Sequence, residues 1–210
     1  MWEKYIDHSI ACILNTKASV EPYWHLHVKN FYHEELFEQI LDNTNWDTTN
    51  TLVTRRGNTR IVVNPLDQTE KWDFFREYSL KFHSKLIETV QSLPGANKEH
   101  HNIETELLYD CTGGRQVLHV DRPYINVSLM IFICSGGDTT CGTTLHRNEN
   151  DPGKLIEFVP NTGWLIVNGP HALHSAPEIK CSNRYSIMHK FNCGPKRVRS
   201  LILQKENVKN

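Results

Sequence analysis

The chain has little that would commit it to a membrane, an oxidising compartment or a polyanion. Its six cysteines, Cys12, Cys111, Cys134, Cys141, Cys181 and Cys193, contain no C-x-x-C pair. That argues against a disulfide framework and against the common structural zinc motifs. No apolar run approaches the roughly 20 residues of a membrane span. The start, Met1-Trp2-Glu3-Lys4-Tyr5, lacks the apolar core of a secretion signal. Scattered thiols without such a signal lead us to expect a reducing, cytoplasmic setting. An excess of either charge is also missing. With 23 basic and 24 acidic side chains the formal net charge is −1, so no global field points to nucleic acid or to an anionic surface. Repeats, low-complexity stretches and domain linkers are absent too.

What is present is enough apolar material for one core. The 210 residues are 39% hydrophobic, which fits a single domain over residues 1–210. Its first half reads as a helical support region, about residues 1–100. Phe31, Leu36, Phe37, Ile40 and Leu41 recur at helical spacing over 31–43, and Asn43 and Asn45 mark a stop. Apolar residues of 52–63 suit two strands around Arg56-Gly57-Asn58. A second helix follows Pro65, capped by Asp67 or Thr69, with Trp72, Phe75, Phe82, Leu86 and Val90 on one face. Pro94-Gly95 ends it.

From about residue 104 to 192 the pattern changes to short apolar runs separated by Gly, Pro and Asn. The runs are 104–109, 117–121, 126–134, 143–147, 154–159, 163–168, 172–178 and 184–191. Eight short strands at this spacing predict a sandwich or jelly roll. The fold class expected is therefore α+β with a mostly β core, its helices covering one outer face. The basic tail, 193–210, carries Lys196, Arg197, Arg199 and Lys205 and reads as a solvated terminus.

The chemistry-bearing pattern lies inside the strand-rich half. His119 and Asp121 stand two apart, so on a strand they share one face. His174 follows 53 residues later and Arg184 ten residues after that. Two imidazoles and one carboxylate give a metal three ligands on one side and leave the other side open for substrate or dioxygen. An arginine set back from that face can hold the far carboxylate of a bidentate co-substrate. His171 competes with His174, but the spacing to Arg184 and the following Ser175-Ala176-Pro177 favour His174.

On these residues the chain resembles the iron(II)- and 2-oxoglutarate-dependent oxygenases, in their prolyl 4-hydroxylase-like branch. The matching segments are Leu108-Tyr109, Leu118-His119-Val120-Asp121, Val127 to Ile133, Cys141-Gly142-Thr143-Thr144-Leu145, Pro160 to Leu165, His174-Ser175-Ala176-Pro177 and Arg184-Tyr185-Ser186-Ile187. The resemblance covers roughly residues 104–192 and implies a double-stranded β-helix. It implies that His119, Asp121 and His174 ligate Fe(II), and that Arg184 pairs with the 5-carboxylate of 2-oxoglutarate, to which its planar fork is suited. Tyr109 would donate a hydrogen bond to that carboxylate, and Ser186 would add another. O2 is the second co-substrate, and succinate and CO2 are released. Related halogenases have a small residue at the position of Asp121, so the aspartate implies hydroxylation.

Substrate is less legible. A peptidyl residue, a free amino acid or a small metabolite derived from one is the expected class. Arg115 and Arg122 bracket the metal ligands and are candidates to meet a substrate carboxylate, and the glycines of Asp110-Cys111-Thr112-Gly113-Gly114-Arg115 would let that loop act as part of a lid. The basic cluster Arg55-Arg56-Gly57-Asn58-Thr59-Arg60 would flank the opening. The oxidative demethylases of nucleic acid resemble the chain in the same ligands but carry a second arginine six residues after the first. Position 190 is Lys here, and no basic stripe for a duplex is present. Two other classes complete the alternatives. A hydrolytic zinc site would want a glutamate beside a ligand histidine and would leave Arg184 without a role. A binding module that had lost its chemistry would have no reason to fill every position iron and 2-oxoglutarate need.

Overall fold

The computed structural model describes residues 2–44, 52–53, 60–63, 72–96, 102–134, 136–180 and 184–192. Three helices occur among them: α1, Glu3–Asn15; α2, Glu34–Asp42; and α3, Asp73–Gln91. The strands are β1, His25–Lys29; β2, Leu52–Val53; β3, Arg60–Val63; β4, Asn102–Asp110; β5, Gln116–His119; β6, Ile125–Cys134; β7, Thr143–His146; β8, Lys154–Ile156; β9, Thr162–Val167; β10, Leu173–Ala176; and β11, Arg184–Asn192. All eight strands expected beyond residue 104 are present, with ends displaced by a few residues. The capping residues proposed for α3, the Gly57 turn, Arg55 and Arg56, and the tail lie outside the described residues.

The strands form two antiparallel sheets. The larger has seven strands in the order β1-β9-β6-β11-β4-β3-β2, and the smaller has four in the order β5-β10-β7-β8. Strand alternation divides the side chains of the larger sheet between two cores. On the inner face Leu108, Met130, Phe132, Trp164, Ile166 and Met188 meet Leu145 and Ile156 of the smaller sheet. On the outer face Leu107, Leu129, Ile131, Leu165, Ile187 and Phe191 pack against Ile6, Ile13, Leu36, Ile40, Phe75, Phe82 and Leu86 of the helices. The architecture is thus a jelly roll whose larger sheet is backed by helices, as the patterning predicts.

Two elements, α1 and β1, were not read from the sequence. The buried face of α1 consists of Tyr5, Ile6, Ser9 and Ile13. Ser9 breaks the apolar stripe because it is spent on hydrogen bonds: its Oγ donates to Phe31 O at 3.0 Å and accepts from Tyr78 Oη at 2.9 Å. The strand β1 adds to β9 at the edge of the larger sheet. Asn161, in the left-handed region at φ 58°, secures the amino-terminal segment there. Its side-chain oxygen accepts from Tyr32 N and its amide donates to Tyr32 O, both at 2.8 Å. Asparagine is one of the few residues that tolerates this backbone conformation.

Candidate metal centre and anion pocket

His119 closes β5, and His174 lies in β10. The two are direct register partners of adjacent antiparallel strands, with ring centroids 4.3 Å apart. The strand ends at His119, so Asp121 is delivered by the following turn and not by a shared strand face. Its Oδ1 lies 3.9 Å from Nε2 of each histidine. The candidate ligand atoms of the three residues all fall within 4.8 Å of one another. His174 is thus the immediate neighbour of His119. Arg184 is on the opposite sheet, so it approaches the centre from the facing wall.

Backbone carbonyls set the state of both imidazoles. His119 Nδ1 lies 2.8 Å from Val117 O, and His174 Nδ1 lies 2.9 Å from Ala172 O. A carbonyl only accepts, so each Nδ1 carries the hydrogen and each Nε2 keeps its lone pair. The lone pairs point to where Asp121 Oδ1 stands. Burial lowers the pKa of His174, against the opposing pull of the Asp121 carboxylate. Neutral imidazole is the form that ligates a metal. Behind the carboxylate, Ser128 Oγ donates to Asp121 Oδ2 at 2.5 Å, and Asn168 Nδ2 donates to Ser128 Oγ at 2.8 Å. Such outer partners fix a ligand's orientation. Gln116 Nε2 lies 3.3 Å from His119 Nε2.

The facing wall is cationic. Arg184 is 2% exposed. Its Nε donates to Asp110 Oδ2 at 2.7 Å, and its Nη1 donates to the carbonyls of Cys141 and Gly142. Arg60 engages the same carboxylate through Nε on Oδ1 and through Nη2 on Oδ2 at 2.9 Å. Arg60 and Arg184 are both register partners of Asp110, so the three charges form a row across β3, β4 and β11. Burial would raise the Asp110 pKa, but the two guanidiniums outweigh it and hold the carboxyl well below the usual carboxylate range. Two guanidinium charges against one carboxylate leave one positive charge at this end. Arg60, Arg184 and the three candidate ligands line one cleft of about 110 Å³.

Two polar atoms of the inner core have no hydrogen-bond partner: Ser186 Oγ and Trp164 Nε1. Ser186 shares the inner face with Arg184, and Trp164 lines the cleft. Buried orphan donors are rare; Trp164 Nε1 belongs to the cleft lining, whereas Ser186, between Arg184 and Met188 on the inner face of β11, is not among the lining residues. Tyr109 is placed differently from the expectation. Leu108 faces inward, so strand alternation turns Tyr109 to the outer, helix-covered face. There its ring packs on Tyr185 at 4.8 Å, its partner in register. It does not line the cleft. Arg115 and Arg122 are exposed and also stand outside the cleft lining. Arg122 Nη1 donates to Tyr124 Oη at 2.8 Å. His171 is exposed and packs on Tyr23.

The loop after Asp110 is tied down rather than left as a free lid. Gly113 N donates to Ile179 O at 2.8 Å, and Ile179 N donates to Gly114 O at 3.0 Å. Asp110 itself, read from the sequence as part of that loop, is the counterion of Arg184. A signal for it existed: a buried arginine needs a carboxylate, and Asp110 shares the inward period of Glu106 and Leu108.

Compared by sequence, the chain matches no protein-family model and no curated protein. Compared by structure, it aligns with a Pseudomonas putida prolyl-4-hydroxylase at a TM-score of 0.61 and 14% identity, covering 93% of this chain and 100% of that one. The fold is that of the iron(II)/2-oxoglutarate oxygenases, in its prolyl-4-hydroxylase-like form. A prolyl hydroxylase from Trichoplax adhaerens, solved with a hypoxia-inducible-factor peptide fragment, aligns at 0.58 and 13% identity over 91% of this chain and 90% of that one. The viral collagen prolyl hydroxylase of Paramecium bursaria Chlorella virus-1, solved with 2-oxoglutarate, aligns at 0.56 and 11% identity over 81% and 96%.

Proposed function

We propose that the protein is an iron(II)- and 2-oxoglutarate-dependent dioxygenase. In this reading it hydroxylates an unactivated C–H bond of a peptidyl or free amino acid, or of a related small metabolite. The observation that carries the reading is the joint geometry of one cleft. Two imidazoles, each with Nδ1 held by a backbone carbonyl, and a carboxylate converge on one wall, and an excess guanidinium charge stands on the other. The donor set suits Fe(II) bound on one side with open positions. The charge balance suits a dicarboxylate co-substrate. With His119, Asp121 and His174 holding the metal and Arg184 holding the 5-carboxylate, the chemistry supplied is the coupled consumption of O2 and 2-oxoglutarate, yielding succinate, CO2 and a hydroxylated product.

The chain's own part is positioning and exclusion. Asp110 and the carbonyls of Cys141 and Gly142 fix the Arg184 guanidinium, with Nη2 left for the ligand. Ser128 and Asn168 fix Asp121. The apolar walls, Leu108, Met130, Trp164 and Met188, exclude water from the space between. A reducing, cytoplasmic setting is part of the same reading; among the described residues Cys12, Cys111, Cys134 and Cys141 are free thiols. No helix among the described residues is long and apolar enough to cross a membrane.

Two variants test the reading. Arg184→Ala should raise the apparent 2-oxoglutarate requirement about 10- to 100-fold, the loss of a charge-assisted bond, with a much smaller change in Fe(II) affinity. Equal loss of both would make Arg184 structural. His174→Ala should abolish metal-dependent succinate formation. Retained turnover in that variant would reject the triad.

A further inference from the structure

The cleft carries a second ion pair that co-substrate binding does not use. Lys190 Nζ donates to Glu106 Oε2, and the two side chains are 19% and 11% exposed. Both line the cleft that contains His119, Asp121 and His174. Lys190 faces inward from β11, directly opposite Ser128 of β6. Ser128 is the hydroxyl that holds Asp121. The pair therefore stands toward the metal-ligand end of the cleft, and Arg184, six residues earlier on the same strand, marks the other end.

Stability is a poor reason for such a pair. A largely buried salt bridge is commonly no better than apolar side chains of similar volume, and the cleft wall already supplies Leu108, Met130, Met188 and Trp164 beside its polar residues. Recognition is a better one. A carboxylate and an ammonium side by side present both signs to a ligand in a small, partly dry space. A ligand carrying both signs exchanges partner for partner and leaves neither residue unpaired. A ligand carrying one sign takes one residue of the pair from the other and returns nothing for the bond it breaks. An interior residue of a peptide brings neither charge.

We propose that Glu106 and Lys190 form the recognition site for a free α-amino acid, its ammonium on Glu106 and its carboxylate on Lys190. The inference rests on the oxygenase reading above and narrows its substrate class. Anchored at both charged groups, the amino acid has only its side chain left to reach the open side of the triad.

The test uses full-length protein with Fe(II) and 2-oxoglutarate under nitrogen. The twenty free amino acids are compared with their N-acetyl and C-amide forms and with short peptides. The readouts are melting temperature and the visible band of the iron–2-oxoglutarate chelate. At least one free amino acid should raise the melting temperature and perturb the band. Blocking either end should weaken binding ~10- to 100-fold, the loss of one charge-assisted bond. The double variant Glu106→Gln/Lys190→Met, which leaves no charge unpaired, should lose the discrimination between free and blocked forms. Blocked forms or peptides binding as well as free amino acids would overturn the proposal. So would a double variant that still discriminates, or the absence of binding by any free amino acid. If the band never forms, the oxygenase reading fails, and the melting temperature still decides whether amino acids bind through Glu106 and Lys190.

Discussion

Val117 O and Ala172 O each receive an imidazole Nδ1–H and so decide which nitrogen of His119 and His174 is free to ligate. Behind Asp121, the Ser128 hydroxyl plays the same orienting part. Ser128→Ala should lower Fe(II) affinity about 10- to 100-fold, as loss of an outer-shell partner does elsewhere; unchanged affinity in a metal titration would show the bond to be incidental. Asp110 is the corresponding residue for Arg184. Asp110→Asn should weaken 2-oxoglutarate binding and also lower the melting temperature, because the buried guanidinium of Arg184 and the half-buried one of Arg60 lose the carboxylate they share. A fall in stability with full 2-oxoglutarate affinity would restrict Asp110 to a structural role. The candidate site residues His119, Asp121, His174, Arg184 and Ser186 were legible from their spacing together with the family resemblance that spacing supports. Asp110, Arg60, Ser128 and the Glu106–Lys190 pair were not. The roles of Arg60, Asp110 and the Glu106–Lys190 pair depend on strand pairing between residues 50 to 84 positions apart, for which the inward period of Asp110 is the one local sign, and that of Ser128 depends on the turn that returns Asp121 to β6.

At the scale of elements, alternation along β4 decides what faces the site. Leu108 and Asp110 point in, and Tyr109 points out against Tyr185. Tyr109→Phe should therefore leave 2-oxoglutarate affinity unchanged within experimental error. A tenfold loss in that titration would return the tyrosine to the pocket. The sequence resemblance placed Tyr109 correctly on the first core strand but could not assign its face, because a one-residue difference in register reverses every side chain. The pairing of β6 with β9 sets a second constraint. A Cβ on Gly163 would fall inside the van der Waals envelope of Met130 O, so Gly163→Ala should destabilise the core by several kcal/mol in chemical denaturation, on the scale of overpacking. The strands after residue 104 were readable because each is bounded by turn residues. The first strand and first helix were not, because polar groups interrupt their buried faces, Ser9 in α1 and His25 in β1.

Across the whole molecule, the helices and the larger sheet enclose a chain of polar contacts: His83 Nε2 to Thr105 Oγ1 at 2.9 Å, Thr105 Oγ1 to His189 Nδ1 at 2.9 Å, and His189 Nε2 to Tyr32 Oη at 3.2 Å. Burial lowers the His83 pKa to about 4 from 6.5 and holds that of His189 well below its ordinary value. Both histidines bind protons more readily when unfolded. Their contribution to stability is therefore complete above pH 6.5 and is lost as pH falls toward 4. The melting temperature should drop across that window more steeply in the native protein than in His83→Gln; parallel curves would remove His83 from the acid response. The same layering puts the helices behind one sheet and leaves the cleft between the two sheets for chemistry. Whether that cleft binds iron and 2-oxoglutarate together is decided without oxygen or substrate. Fe(II) and 2-oxoglutarate are added to the folded protein under nitrogen, and the weak visible charge-transfer band of the chelate is recorded. The band should appear with the native protein, vanish in His119→Ala, and require more 2-oxoglutarate in Arg184→Ala. A folded, iron-replete protein that shows no band would contradict joint binding in that cleft.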